Sequence, residues 1–143
     1  DPARPVYVES ESKKIGGLRV PDALITAMRA STCIRLEVPL TARVNLLSED
    51  YAHFLQDPEA IKSRLLHLLE LRGKETITAW EALADRHAWP ELVTALLEQH
   101  YDPAYHRSLS RNYAPTPDDR TVRADDLSAD GMRQLARTIL AAA

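Results

Sequence analysis

The sequence predicts a helix-rich α/β fold in which about three strands form part of a parallel sheet. Two observations support this prediction. Short β-favouring runs alternate with helical segments, and a long stretch between the second and third runs repeats its apolar residues every three or four positions. Strands separated by helices form parallel sheets through crossover connections. The long helical stretch is then expected to stand outside the sheet as a lid or subdomain.

Three segments are predicted to be strands. The first, VYV at residues 6–8, reads as a short buried strand that ends in a polar cluster. The second, CIRLEV at residues 33–38, is closed by Pro39, and the third is TVRAD at residues 121–125. Pro21 can open a helix between the first two strands. The order of these elements favours a sheet with crossover helices.

About five helices are predicted between the second and third strands, beginning at Leu40. The Asp-Pro pairs at 57–58 and 102–103 each supply an N-cap and a first-turn proline. Gly73 suits a helix C-terminus, and Ser128 is expected to cap a final helix. The chain is therefore divided into a partial α/β core, residues 1–39 and 119–143, and a helical subdomain, residues 40–118.

Length and composition are typical of one globular domain, with 143 residues of which 45% are hydrophobic and 27% charged. The net charge of −3 argues against a generally basic nucleic-acid coat but allows a local basic patch. Cys33 is the only cysteine, so we expect no disulfide, no multi-cysteine metal site and a reducing, cytoplasmic setting. Neither a membrane span nor a signal peptide is predicted. The abrupt start in a strand suggests a fragment.

The carboxylates that follow the first predicted strand are candidates for catalysis. Glu9 and Glu11 are two residues apart, so in an extended chain they project from one face. Ligands of parallel α/β sheets collect at the carboxyl edge, where such a group could hold Mg²⁺ through water or orient a nucleophile. The alternative is a solvated strand end with Lys13 and Lys14 as neighbours, and from the residues alone it is the commoner case.

Two arginines form the clearest candidate for phosphate binding. Arg107 and Arg111 are spaced i,i+4, so they share a helix face, and residues 104–117 contain no Asp or Glu. Two locally uncompensated guanidiniums suit phosphate, although a solvated helix face is about equally favoured. Arg35 and Arg43, which flank the second strand and the start of the helical stretch, give a weaker signal, since one of them can instead pair with Glu37 or Asp50.

The usual phosphate and nucleophile motifs are absent from the sequence. There is no G-x-x-x-x-G-K-[ST] loop, no G-x-G-x-x-G loop and no G-x-S-x-G elbow. These 143 residues therefore do not contain a complete active site of those classes.

Four ordered segments resemble a known family, namely VYVESESKKIG, LRVPDALITAMR, CIRLEVPLTARVNLLSEDY and YDPAYHRSLSRN. Over residues 5–112 the chain resembles the C-terminal part of bacterial tRNA 2-selenouridine synthase. That family joins an N-terminal rhodanese-like domain to a P-loop domain. The resemblance implies that the rhodanese cysteine and the P-loop lie upstream of Asp1, and that this chain alone is inactive. Cys33 does not match the rhodanese position, and Gly17 departs from the polar residue expected there.

The resemblance implies a transferase that replaces the sulfur of 2-thiouridine at the tRNA wobble position with selenium. Selenophosphate is the implied selenium donor, and geranyl diphosphate is a further substrate if the geranylated base is the intermediate. The implied partners are the anticodon region of tRNA and the upstream part of the same protein. No cofactor is expected within this chain, apart from possible Mg²⁺ at the carboxylates.

The resemblance also implies a P-loop-type sheet in which residues 6–8 lie beside the P-loop strand, with Glu9 or Glu11 at the catalytic edge. The helical stretch takes the place of the lid of nucleotide kinases, where arginines close on phosphate groups. The ligand is left open between a diphosphate, selenophosphate and the tRNA backbone. The residues proposed for phosphate or tRNA contact are Arg43, Arg107, Arg111, Lys13 and Lys14.

Two other interpretations remain open at this point. The chain could be a stand-alone helical module that recognises RNA or a protein through Arg107 and Arg111. It could also be a fragment of a P-loop phosphotransferase with different chemistry. The first predicts a self-sufficient fold, and the second predicts magnesium-dependent nucleotide binding once the missing half is restored.

Overall fold

The computed structural model of the protein describes residues 5–10 and 13–141, and it confirms a helix-rich α/β fold. The strands in these ranges are β1 (Lys14–Ile15), β2 (Leu18–Arg19), β3 (Ile34–Glu37) and β4 (Arg120–Arg123). The α-helices are α1 (Asp22–Arg29), α2 (Leu40–Asp50), α3 (Pro58–Leu65), α4 (Leu69–Arg72), α5 (Lys74–Asp85), α6 (Trp89–Leu96), α7 (Asp102–Asn112) and α8 (Ala129–Ala141). A 3₁₀ turn, Leu66–Leu68, joins α3 to α4, and a π-helical turn, Leu97–Tyr101, joins α6 to α7.

The second and third predicted strands pair with each other in parallel, as the sequence order requires. β3 and β4 are in register from Ile34 opposite Arg120 to Glu37 opposite Arg123. Beyond the ladder, the Ala124 amide donates to the Glu37 carbonyl at 2.9 Å. All helices from α2 to α7 lie in the connection between these two strands. The helical stretch is therefore a long crossover between adjacent strands.

The prediction of a buried strand at residues 6–8 is wrong. Residues 5–10 have no regular secondary structure, and Val6 is 82% exposed. A strand requires a hydrogen-bonded neighbour, and none of the described strands pairs with this segment. The parallel sheet consequently has two strands in the described residues instead of about three.

A small hairpin that the sequence did not predict follows this segment. β1 and β2 pair antiparallel around Gly16 and Gly17. Gly16 has φ +59, a left-handed conformation that glycine adopts without steric cost. The Val20 amide closes the hairpin by donating to the Lys13 carbonyl at 2.8 Å.

The largest group of buried side chains lies where α3, α5 and α6 pack together. The apolar repeat of α5 places Ile77, Trp80 and Ala84 on one buried face, and Trp80 is only 1% exposed. Leu65 of α3 and Leu92 of α6 complete the cluster. Burying five such side chains is the main source of stability visible in this part of the chain.

Four of the five predicted helix signals are confirmed, including Pro21, which directly precedes α1. The Asp57 carboxylate caps α3 by accepting from the Ala60 amide at 3.1 Å, and Gly73, with φ +81, ends α4. The Ser128 hydroxyl accepts from the Gly131 amide at 3.2 Å at the start of α8. A Cβ on Gly131 would lie 2.3 Å from the Asp126 carbonyl oxygen, so this position has no room for a side chain. None of the helices in the described ranges combines the length and hydrophobicity that crossing a membrane requires.

The prediction that Asp102 caps a new helix is wrong. The backbone before it is already helical, because the π-helical turn runs directly into α7. Arg72 holds this turn, donating from Nε to His100 Nδ1 at 3.0 Å and from Nη2 to the His100 carbonyl at 3.3 Å. Burial, followed by the charge of Arg72, lowers the pKa of His100 and favours the neutral ring that accepts this bond. The Asp102 carboxylate is left to make a tertiary contact.

Candidate phosphate-binding site

The exposed face of α7 carries the two arginines that the sequence singled out. Arg107 and Arg111 lie one turn apart, and the structure confirms that they share a helix face. They line a shallow depression of about 230 Å³, several times the roughly 30 Å³ that one water occupies in the liquid. The other lining residues are Ala104, Ser108 and Asn112.

Neither arginine is neutralised by a carboxylate of the described residues. Within residues 5–10 and 13–141, no side-chain hydrogen bond or ion pair engages Arg107 or Arg111. Several other cations in the same ranges do have acidic partners, as Lys62 does with Asp85 at 2.7 Å. The carbonyl end of α7, where Arg111 lies, favours nearby positive charge. The depression is therefore an open, positively charged surface on an acidic chain.

Arg43, the third arginine predicted to meet phosphate, is engaged in a bidentate ion pair. Its Nη1 and Nη2 donate to the two carboxylate oxygens of Asp102 at 2.7 and 2.8 Å. These hydrogen bonds raise the pKa of Arg43 and lower the pKa of Asp102. The pair fixes α2 against the start of α7, five residues before Arg107. In this structure Arg43 positions the helix that carries the open arginines.

A contact from outside the helical stretch reaches Asn112, one of the residues that line this depression. Arg29, the last residue of α1, donates from Nη2 to the Asn112 side-chain oxygen at 2.5 Å. Sequence reasoning did not select either residue. A basic residue in the last turn of a helix is usually explained by the helix dipole, so Arg29 gave no distinct signal.

The role of the N-terminal candidates stays a prediction, because the described residues include Glu9, Lys13 and Lys14 but not Glu11. Glu9 is exposed and lies outside regular structure, and Glu11 lies outside the described residues. Lys13 pairs with Asp22 at 3.0 Å and lowers the pKa of that carboxyl, while Lys14 lies exposed in β1. No hydrogen bond or ion pair connects Lys13 to α7 in the described ranges.

Metal binding at the N-terminal carboxylates stays a prediction. In the part of the chain that the structure describes, no three His, Cys, Asp or Glu side chains are grouped so that they could hold a metal ion. The Mg²⁺ suggested for Glu9 and Glu11 involves a residue beyond that part, so its geometry is not described.

Asp119 was not predicted, yet it ties the segment after α7 to the sheet. Its carboxylate accepts from the Cys33 amide at 2.9 Å and from the Thr116 amide and hydroxyl at 3.1 and 2.7 Å. These hydrogen bonds lower the pKa of Asp119, and the bond from the Cys33 amide has the largest effect. Burial and the Asp119 charge raise the pKa of the Cys33 thiol, which disfavours the thiolate and a nucleophilic role.

Comparison with known proteins gives matches to one family. Residues 1–64 match the family model described as the tRNA 2-selenouridine synthase AAA domain. A tRNA 2-selenouridine synthase of Shewanella loihica is 28% identical over 77% of this chain and 37% of its own length. One of Marinobacter nauticus is 26% identical over 75% of this chain and 36% of its own length.

The chain thus spans little more than a third of the length of these curated relatives. No solved structure matches it significantly. The resemblance inferred from the sequence is confirmed: the chain is similar to tRNA 2-selenouridine synthases, and its first 64 residues are similar to the AAA domain of that family.

Proposed function

We propose that this chain is part of a tRNA-modifying transferase that replaces the sulfur of wobble 2-thiouridine with selenium. In this proposal selenophosphate supplies the selenium, and a geranylated base, made from geranyl diphosphate, is an intermediate. The enzyme acts in the cytoplasm on the anticodon region of tRNA. The reacting groups come largely from an upstream rhodanese-like domain and P-loop, and this chain supplies phosphate and tRNA contacts.

The observation that carries the proposal is the open arginine pair of α7 in a chain similar to tRNA 2-selenouridine synthases. Phosphate contacts position a nucleic acid and are made mostly by arginine and lysine, independent of base sequence. Arg107 and Arg111 have no acidic neighbour from residue 104 to residue 117, so their charges remain available to an incoming phosphate. The chain's net charge of −3 confines attraction to such a local surface.

In the proposed arrangement residues 40–118 act as a lid over the substrates. Arg43 holds α7 in place through Asp102, and Arg107 and Arg111 meet phosphate. The same two guanidiniums suit the tRNA backbone, selenophosphate or a diphosphate, since each presents oxygens that accept bidentate bonds. Glu9 and Glu11 are proposed as carboxylates at the catalytic edge, with Lys13 and Lys14 as further cations beside them.

The proposal is tested by tRNA binding to the full-length protein. Replacing Arg107 and Arg111 together by alanine should weaken binding and reduce the slope of log affinity against log salt by about 1.5, since each lost phosphate contact contributes about 0.7–0.9. The matched control removes two exposed cations of the helical stretch, Lys74→Ala with Arg86→Ala. The proposal fails if the first variant binds like the control at every salt concentration.

A stand-alone helical module that binds RNA or protein is the second candidate. It is favoured by the main buried cluster, which lies entirely within the helical stretch. The upstream coding sequence distinguishes the two. If no Gly-Lys-Ser/Thr loop occurs within about 100 residues of Asp1, the size of a small domain, the selenium-transferase proposal is rejected.

A P-loop phosphotransferase of other chemistry would keep the upstream loop. It is distinguished by its substrate: the full-length protein would then bind a nucleotide in a magnesium-dependent way without turning over thiolated tRNA. Incubation with 2-thiouridine tRNA and selenophosphate, followed by nucleoside analysis, separates these chemistries directly.

A further inference from the structure

We propose that Arg29 of α1 is a third phosphate-binding arginine, which joins Arg107 and Arg111 at the depression on α7. The inference rests on the proposed function, because it extends the same anion site. It adds a residue that lies outside the helical stretch and 83 positions away from its contact. The site would then be built from two elements of the fold instead of from one helix.

The contact that brings Arg29 to the site is fixed from the other side. Asn112, which accepts from Arg29 at 2.5 Å, donates from Nδ2 to the Ser108 carbonyl at 2.8 Å. This second bond orients the amide so that its oxygen faces the guanidinium. Ser108 and Asn112 both line the depression that Arg107 and Arg111 border. Asn112 is therefore a positioning residue for the charge of Arg29.

The partner of Arg29 is neutral, so its charge is not compensated. The one acidic residue of α1 is Asp22, at the opposite end of the helix, where it pairs with Lys13. No acidic residue occurs from residue 104 to residue 117, and in the described ranges Arg29 makes no ion pair. Asn112 thus links Arg29 to the depression that Arg107 and Arg111 line, and none of the three guanidiniums has a carboxylate partner in the described ranges.

The chemistry of such a site favours a ligand with at least two negative charges. Each guanidinium can donate two parallel hydrogen bonds to the oxygens of one phosphate. Three guanidiniums therefore suit a diphosphate or two neighbouring phosphates of an RNA strand. Phosphate is the shared chemistry of these two sources. Because α1 leads into β3 and α7 ends before β4, either ligand would connect the sheet flank to the helical stretch.

The test uses the full-length protein with two probes, inorganic diphosphate and an unmodified tRNA transcript, each over a range of salt. Arg29→Ala is expected to lower the affinity for at least one probe about two- to fivefold, which corresponds to the free energy of an exposed ion pair. For tRNA the salt slope should fall by about 0.7–0.9. Lys74→Ala removes one exposed charge elsewhere on the helical stretch and serves as the matched control.

If Arg29→Ala weakens the binding of diphosphate alone, the site binds a free diphosphate. If it weakens the binding of tRNA alone, the site binds the RNA backbone. Both outcomes support Arg29. The proposal is overturned if Arg29→Ala binds both probes as tightly as Lys74→Ala does, while the double variant of Arg107 and Arg111 binds them more weakly. If the double variant is unchanged as well, the proposed function fails together with the inference.

A second variant separates binding from structure. Asn112→Asp keeps an acceptor for Arg29 and adds an ion pair, but it loses the donor to the Ser108 carbonyl and places a carboxylate at the carbonyl end of α7, so thermal stability should be unchanged or slightly lower. The new carboxylate compensates the charge, so binding of the responsive probe should still fall at least as much as in Arg29→Ala. Unchanged binding in Asn112→Asp would show that the charge of Arg29 is not used.

Discussion

The helical stretch and the two flanks of this chain are built on different principles. From α3 to α6, apolar faces meet in a closed cluster in which Trp80 and Ile77 are almost completely buried. In the described flanks, residues 5–10, 13–39 and 119–141, only Ile25 and Ala124 are buried hydrophobic residues. The helical stretch therefore contains its own core, while the flanks contribute a sheet without one.

The sheet shows what this difference means physically. β3 and β4 are paired correctly, yet Leu36 in β3 remains 48% exposed, and a two-stranded sheet is at best marginally stable by itself. Parallel sheets normally bury both faces. Two hydrogen bonds lie between the parts: Arg29 of α1 donates to Asn112 at the end of α7, and the Cys33 amide just before β3 donates to Asp119. Stability and the candidate site are thus located in different parts of the fold.

The largest expected effect tests whether the helical core carries the stability. Trp80→Ala should lower the free energy of unfolding by about 3–5 kcal/mol, because it leaves a large cavity in the cluster. Tyr7→Ala, an aromatic truncation in the exposed flank, should change it by less than about 0.5 kcal/mol. Urea unfolding followed by circular dichroism measures both midpoints.

Trp80→Phe refines this test. The indole N–H of Trp80 is buried and has no hydrogen-bond partner in the described residues. Phenylalanine removes that unpaired donor, so it should cost clearly less than alanine. If Trp80→Ala in the core and Tyr7→Ala in the flank were equally destabilising, the contrast between the two regions would be incorrect.

The flanks were also harder to predict from sequence than the helical stretch. Periods of three and four residues located α2 to α6 because each helix makes its hydrogen bonds within itself. Residues 6–8 have the composition of a strand, but composition does not supply a neighbouring strand. The hairpin at Gly16 was not predicted from the sequence. The parallel pairing of β3 with β4, in contrast, followed from the order of the elements.

The candidate site divides in the same way. Arg107 and Arg111 could be selected because their spacing and the absence of nearby acids are local features. The ion pair of Arg43 with Asp102 and the bond of Arg29 to Asn112 join residues 59 and 83 positions apart. Such contacts depend on how helices pack, which the pattern of one sequence does not contain.

The next expected effect concerns the ion pair that joins α2 to α7. Arg43→Ala should destabilise the protein by about 1.5–3 kcal/mol, the range for hydrogen bonds to charged groups, with partial exposure favouring the lower end. Arg43→Lys should recover only part of this, because an ammonium cannot make the bidentate contact. Urea midpoints of both variants and of Asp102→Asn, combined in a double-mutant cycle, give the coupling.

Acidification provides an independent check of this pair. Because the folded-state pKa of Asp102 lies below its usual 3.8, the pair stabilises the protein above that pH, and the contribution is lost as pH falls through the lowered value. Arg43→Ala should therefore lose less stability than the unaltered protein between pH 5 and the acid limit of folding. Parallel acid profiles for the two proteins would contradict the pairing.

The smallest expected effect lies where the end of the helical stretch returns to the sheet. Asp119→Asn keeps the size of the side chain and one acceptor oxygen but removes the charge that strengthens the bonds from Cys33 and Thr116. The pKa of Asp119 is lowered, so its stabilisation is present above pH 3.8 and lost as pH falls through the lowered folded-state value. The variant should have a slightly lower urea midpoint at pH 7 and the same midpoint as the unaltered protein in acid.

Because these bonds hold the start of β3, hydrogen exchange should accelerate at β3 and β4 and remain unchanged in α5. Equal acceleration in α5 would mean that the flank and the helical core open together, which would remove the distinction between the two regions.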